Sequence, residues 1–451
     1  MTYKQLLSSN ADFRRLWTGQ VVSEVGDWLN NIAVLALVIQ LAGEAPVGRA
    51  LAVYAIARHL GLFLFGPFAG VVVDRVNRRR VMIAADITRA VLALGFLLAA
   101  RLSSLAVIYA VGAALFSVSA FFNAAKRASI PNLVEGTDEL LAANSLSAST
   151  TAATIAVGSA LGGVVATALG RDTVFILNAL TFIASAEMIR RIRRPVSSKQ
   201  RAEAALVDGG RADEIHGLEI QMPEVTAQRS PLTAYFKDFR EGLRYVRRDH
   251  VLSAVFVAAG GWGLGNGAAR ALYSIFGARL GEQAAASWGA GLRAVVERPT
   301  DFGISVLFVA MGVGGVLGAP LARRFNRGAA GDLGARMGRS LTLDGCGLLL
   351  FSFMPNLLGA SAVLVAREMN FAIWWTAQQT LVMRRTDDRF AGRVFASFET
   401  LTTLAMVGSI LVSGEVADRL GIRPVAAGGG SVVILSGLLW FILRRRDERR
   451  R

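Results

Sequence analysis

The chain repeatedly carries apolar runs long enough to cross a lipid bilayer. The stretch from Val91 to Val118 is broken only around Arg101. A hydrocarbon core about 30 Å thick takes about 20 helical residues to span. Twelve spans would use about 240 to 300 residues, and the chain has 451. Hydrophobic residues make up 53% and charged residues 18%, against about a quarter charged in an average soluble domain. This pattern argues against a soluble enzyme, a disordered chain or a secreted disulfide protein. Cys346 is the only cysteine, so no intramolecular disulfide can form and zinc-type cysteine spacing is absent. The first apolar run is too long for a signal-peptide core and carries Glu24 and Asp27, so a membrane-retained segment is expected.

The pattern predicts twelve helices, at about 13–41, 49–75, 79–101, 103–127, 139–169, 171–194, 250–280, 302–325, 337–354, 357–384, 391–419 and 422–443. The expected domains are 1–194, a six-helix bundle; 195–249, a charged cytoplasmic linker; and 250–451, a second six-helix bundle. Within the linker, 231–249 reads as an amphipathic helix lying along the membrane, with Phe239 and Tyr245 opposite Arg240 and Arg244. The alternative is an ordinary soluble helix.

Arginines set the expected orientation. The net charge of +16 is concentrated in alternate turns: Arg75, Arg78, Arg79 and Arg80; Lys126 and Arg127; Arg323, Arg324 and Arg327; Arg384, Arg385, Arg389 and Arg393; and the C-terminal arginines. The intervening turns are poor in charge. By the positive-inside rule the arginine-rich side and both termini are cytoplasmic, in an inner (cytoplasmic) membrane. A nucleic-acid partner is not expected, because the basic surplus is topological. The outer loop 281–301 has no assigned role.

The two halves echo each other. Val157-Gly158-Ser159-Ala160-Leu161 matches Val407-Gly408-Ser409-Ile410-Leu411, 250 residues later. Asp74-Arg75-Val76-Asn77-Arg78 resembles Arg323-Arg324-Phe325-Asn326-Arg327 at an offset of 249. Two matches at nearly one offset argue for a duplicated six-helix unit.

The sharpest motif is Gly70-Val71-Val72-Val73-Asp74-Arg75-Val76-Asn77-Arg78-Arg79. Gly70 would allow close helix approach, Asn77 would tolerate a left-handed turn, and Asp74 would suit a helix N-terminus. The segment resembles motif A of the major facilitator superfamily, with asparagine in place of the usual glycine. Asn10 to Gln20, Gly26-Asp27-Trp28-Leu29, Gly66-Pro67, Ala143-Asn144-Ser145-Leu146 and Gly392-Arg393-Val394-Phe395 extend the resemblance to the drug-exporter branch containing macrolide efflux proteins and the enterobactin exporter. It covers almost all of 10–444. It implies an all-α membrane protein, twelve transmembrane helices in two pseudo-symmetric six-helix bundles. It further implies that Asp74 meets the start of the eleventh helix near Phe390 to Gly392 in the outward-facing state, with Arg78 joining the charge network. Gly158, Gly162 and Gly163 resemble the glycine-rich antiporter motif, with Ser159 where proline is usual. Close packing of the fifth helix on the eighth is expected there.

An acidic residue at the centre of a span costs about 2.5–3.5 kcal/mol, so each needs a partner or a task. Glu24, Asp27 and Asp86 are the proton-coupling candidates. Asp86 and Arg89 are spaced to pair. In this fold the first, fourth, seventh and tenth helices line the cavity, which offers Asn30, Asn31, Phe122, Asn123, Trp262, Asn266, Arg270, Tyr273, Glu368, Trp374 and Gln378 as substrate contacts. Arg367 and Glu368 are neighbours and cannot share one face, so one of them is expected to point elsewhere. The histidines, His59, His216 and His250, read as packed or loop residues. No catalytic triad, metal-ligand set, cofactor motif or nucleotide site appears, so a membrane enzyme is not expected. The predicted function is a secondary transporter that exports a small amphipathic compound in exchange for protons. A lipid or lysophospholipid transporter and an uncoupled facilitator are the alternatives.

Overall fold

The computed structural model describes residues 2–43, 46–194, 231–287, 289, 296–326 and 330–448. After a short N-terminal helix, α1 (Tyr3–Ser9), come α2 (Ala11–Ala42), α3 (Val47–Arg75), α4 (Arg78–Arg101), α5 (Leu105–Leu133), α6 (Gly136–Ala168) and α7 (Arg171–Arg190). Then follow α8 (Pro231–Val246), α9 (His250–Ala286), α10 (Pro299–Asn326), α11 (Ala330–Ser352), α12 (Leu357–Arg385), α13 (Asp388–Leu420) and α14 (Ile422–Glu448). No strand occurs among the described residues.

A helix occupies each of the twelve predicted positions. Most ends fall within about three residues of expectation. The clear differences are α5, which runs six residues further and includes Pro131, α9, which runs on to Ala286, and α11, which starts seven residues earlier. Helix starts are set by short polar side chains. Asn10 accepts from the Phe13 amide at 2.9 Å, Asp249 from Val251 and Leu252 at 2.7 and 3.0 Å, and Asn356 from Gly359 at 2.8 Å. Such caps satisfy amides that no helical carbonyl can reach. Two tight turns occupy matching places in the halves: Gly170 between α6 and α7 and Gly421 between α13 and α14, with φ of 86° and 87°. Only glycine adopts that backbone without strain.

Among the described residues, eleven of these helices are long and apolar enough to cross a membrane. The ninth predicted span, α11, falls short because it carries Arg336, Arg339 and Asp344. The outward faces are apolar stripes. Ile87, Val91, Leu94 and Leu98 on α4, and Val432, Leu435, Leu439 and Ile442 on α14, are all exposed. Exposed leucine and valine at helical spacing over this length suit lipid, not water.

The helices pack as two six-helix groups, α2–α7 and α9–α14. The groups meet along α6 with α10 and along α3 with α13. At the charge-poor end they share one apolar core, in which Val34, Leu37 and Phe175 join Leu272, Phe276 and Ile304. At the arginine-rich end the cores are separate. One contains Phe13, Met82 and Leu133; the other contains Val255, Met337 and Trp440. The molecule is therefore closed at its charge-poor end; at the other end the apolar cores are separate, and Arg323 of α10 donates to the Tyr3 hydroxyl of α1 at 3.2 Å across the gap.

The helix α8 lies within the segment 231–249, and its described apolar residues rest on α13. Tyr245 stacks on Phe390 at 4.8 Å, and Ser397 donates to the Phe239 carbonyl at 3.0 Å. Arg393 pairs with Asp238 and Glu241 at 3.4 and 3.1 Å. The linker residues 195–230, and within the loop 281–301 residues 288 and 290–295, lie outside the described residues.

Candidate functional site: a polar cavity between the two halves

The first cavity encloses about 210 Å³ on the α2–α7 side. Glu24, Asp27, Asn30, Asn31, Phe122 and Asn123 line it, together with Arg58, Arg89 and Lys126. Glu24 is held by three donors: Lys126 at 3.4 Å, Gln20 at 2.8 Å and Thr154 at 3.2 Å. Asp27 sits one helical turn along the same face of α2, its side chain 33% exposed. Its nearest cation is Arg89, at 3.9 Å.

Arg89 pairs closely with Asp86 on its own helix, as the spacing predicted. Its guanidinium lies between the rings of Phe122 and Phe182, 4.1 and 4.4 Å from their centroids. Such stacking stabilises a cation in an apolar setting. Asp86 is fully buried and Asp27 is not, so one arginine joins an enclosed carboxylate to one that faces the cavity.

A second cavity, about 180 Å³, adjoins the first and lies between the halves. Both are lined by Trp28, Asn31, Tyr54 and Arg58. The second adds His59, Arg270 and Tyr273.

The α9–α14 half holds its own buried charge cluster. Arg367 pairs with Asp344 at 3.1 Å and bonds to Asn266 and Tyr273. Trp262 and Asn266 donate to Asp344 at 3.2 and 3.3 Å. Glu368 lies 3.5 Å from Arg367, and both are buried. The expectation that one of these neighbours must point elsewhere is therefore incorrect. A guanidinium on a four-bond stem swings across the 100° between adjacent positions and meets the carboxylate in the gap. Trp374 is fully buried in a stack with Trp262, ring centroids 4.9 Å apart. Trp262, Asn266, Glu368, Trp374 and Gln378, all offered as substrate contacts, line neither cavity.

Several expectations for the motif segment are corrected. Asn77 has φ −57°, not a left-handed value; it caps α4 by accepting from the Arg80 amide at 3.3 Å. An N-cap needs only an extended entry, so no left-handed residue is required. Gly70 has open space where a side chain would project, so no described residue packs on that face of it. Arg78 donates to the Ala128 carbonyl at 2.7 Å and Arg79 to that of Ile192 at 2.6 Å, tying α4 to α5 and to the end of α7 within one half. Arg75 is exposed. The side chain of Asp74 lies outside the described residues.

The glycine face of α6 divides its contacts. A side chain at Gly158 or Gly162 would strike Val25, Trp28 and Leu29 of α2; only Gly163 faces α10, where Ser305 fills the space. The expected packing on the eighth span holds at Gly163 and is supplemented by Gly312 of α10 against Ala156.

Sequence reasoning missed the bonds that close the charge-poor end. Asp418, near the end of α13, accepts from the amides of Gly48 and Arg49 at the start of α3, at 2.8 and 2.9 Å. Arg171 pairs with buried Asp301 at 3.0 Å, and Arg298 donates to the Ala166 carbonyl at 2.8 Å. All three join one half to the other. Asp344 was also missed, although an acid inside an apolar run is itself a signal.

Among known proteins, the chain is similar to the uncharacterized MFS-type transporter YfiS of Bacillus subtilis, 24% identical over 431 residues, covering 93% of this chain and 90% of that protein. It is also 24% identical over 408 residues to the putative bacilysin exporter BacE of Bacillus subtilis, covering 88% and 86%. A shorter match, 33% over 75 residues, joins it to macrolide efflux protein A of Streptococcus pyogenes, covering 17% of this chain and 18% of that protein. The crystal structure of the nucleoside transporter NupG shares its fold, with a TM-score of 0.64 at 10% identity, covering 95% of this chain and 98% of that one. The family model described as Major Facilitator Superfamily matches residues 16–409. With a polar cavity among membrane-length helices, this chain is a multi-pass membrane transporter, not an enzyme, and belongs to the Major Facilitator Superfamily.

Proposed function

We propose that this transporter exports a small amphipathic compound by alternating access, in exchange for protons. The carrying observation is Asp27: a carboxylate partly open to the cavity, sharing Arg89 with the enclosed Asp86. Protonation of Asp27 would leave Arg89 to Asp86 alone; ionisation would draw Arg89 toward the cavity. A proton and a cationic substrate would compete for the same carboxylate, which is the logic of exchange. Glu24, already tied to Lys126, would be the second such group. Export is the direction that the printed names of two relatives carry. The two six-helix groups, 1–194 and 250–451, would be the moving bodies, joined through 195–249. The arginine-rich end, with both termini, would face the cytoplasm.

Dye efflux from proteoliposomes under an imposed pH gradient tests this, comparing the parent with Asp27→Asn and Glu24→Gln. Gradient-driven efflux in the parent, lost in Asp27→Asn, is the expected result. Efflux that ignores the gradient in both would leave an uncoupled facilitator. Gradient-independent movement of lysophospholipid in place of dye would support the lipid reading.

A further inference from the structure

The two adjoining cavities differ in charge. The first carries Glu24 and Asp27 beside its cations; no residue lining the second is acidic. The second presents two guanidinium groups, Arg58 from α3 and Arg270 from α9, one from each half. Arg270 is exposed inside the protein and makes no hydrogen bond or salt bridge with any described residue. Glu368 is within Coulombic reach of it but is engaged with Arg367. Arg58 is within Coulombic reach of Asp27, which Arg89 already pairs; it donates to Asn31 at 2.6 Å, lies 4.2 Å from the Phe116 centroid, and keeps its buried Nε without a hydrogen bond. Like charges sharing a cavity within a membrane protein repel and are costly to keep there. An anion between them would offset both terms, and guanidinium is the group best shaped to grip a carboxylate.

We propose that the second cavity is an anion subsite. Arg58 and Arg270 hold a carboxylate of the transported compound, while its cationic end lies in the first cavity beside Glu24 and Asp27. The substrate class is therefore amphoteric, a small molecule bearing both a carboxylate and an amine. This rests on the transporter reading but not on proton coupling. Because Arg58 and Arg270 belong to opposite halves, the carboxylate also bridges the halves when it binds.

The test is equilibrium dialysis of radiolabelled dipeptide against the full-length protein in nanodiscs, with no gradient. The probes are alanylphenylalanine, its C-terminal amide and its N-acetyl derivative. The acid is expected to bind about tenfold more tightly than the amide, the scale of one charge-assisted contact. Arg270→Gln should bring that ratio close to one, and Arg270→Lys should restore part of it. Arg58→Gln provides a second route if one variant fails to fold, with monodispersity and melting temperature as the check. An acid-to-amide ratio near one in the parent, including no saturable binding of either, overturns the proposal. So does a ratio that survives both arginine variants. Because no gradient is applied, a failure of proton coupling leaves these outcomes unchanged.

A separate observation carries a second inference. The sequence Gly414-x-x-x-Asp418-Arg419 at the end of α13 repeats the pattern Gly70-x-x-x-Asp74-Arg75 at the end of α3. In the structure Asp418 caps the start of α3, and Gly414 packs directly on Gly48 and Ala52. A carboxylate at a helix N-terminus satisfies free amides and the positive end of the helix dipole. We infer that Asp418 is the latch of the charge-poor end. Spin labels at Leu169→Cys and Leu420→Cys, exposed on opposite halves, would report its opening in a Cys346→Ser background. Asp418→Ala should shift their distance distribution to longer values, and Asp418→Asn, which keeps an acceptor, should shift it less. An unchanged distribution in a folded Asp418→Ala protein overturns the inference.

Discussion

Arg367 shows what a buried charge requires in this molecule. It is almost wholly buried and is matched by Asp344 on one side and by Asn266 and Tyr273 on the others. Taking two charges out of water is repaid only when every donor finds an acceptor, and removing one partner strands the other. Asp344→Ala should therefore destabilise the α9–α14 half by about 3–5 kcal/mol, whereas Asp344→Leu combined with Arg367→Met should recover part of that loss, Glu368 then being the group left without its partner. Thermal unfolding in detergent, followed by circular dichroism, measures both. If the double variant is no more stable than the single one, the cluster is not a closed pair. The α2–α7 half solves the same problem with Asp86 and Arg89, but there Arg89 also faces a second carboxylate across the cavity. Asp86→Leu should cost stability and leave Asp27 paired with an arginine that no longer has a competing partner. In the dye assay, that variant should keep substrate binding but lose gradient dependence.

At the level of elements, spans were legible because bilayer thickness imposes a length on every apolar run, and turns were legible because arginines collect between them. Asp86 with Arg89 was readable because both sit on one helix at a fixed spacing. The cluster around Arg367 was not, since it joins α9, α11 and α12 at sequence separations that no local pattern encodes. Asp418 was hidden for the same reason: its partners are backbone amides 369 and 370 positions away. A helix in the linker was legible from the spacing of its apolar residues, but what covers its apolar side depends on where α13 begins. The stack of Tyr245 on Phe390 and the pairs of Arg393 with Asp238 and Glu241 fix that docking. Arg393→Glu with Tyr245→Ala should release α8. Amide exchange over 237–246 should then accelerate by at least about tenfold, the effect of losing about 1.4 kcal/mol of local protection. Equal exchange in parent and variant would mean that α8 is held by something other than α13.

For the whole molecule, the division of cores decides which end is open. The halves share apolar side chains only toward the charge-poor end, where Asp418, Asp301 and Arg298 also cross between them. Along α3 and α13 the contact runs from Gly48 against Gly414 to Ile56 near Met406; beyond that, Gly70 and Gly392 face open space. A cavity bounded this way is reached from the arginine-rich side. Leu62 lines the first cavity on α3 and is itself exposed, so it can carry a thiol without disturbing the core. In a Cys346→Ser background, Leu62→Cys should react with a membrane-impermeant maleimide added to the face that carries the chain termini, and much more slowly from the other face. Vesicle sidedness is fixed independently by protease access to an N-terminal tag. Faster labelling from the opposite face would mean that the closed end described here is not the resting one.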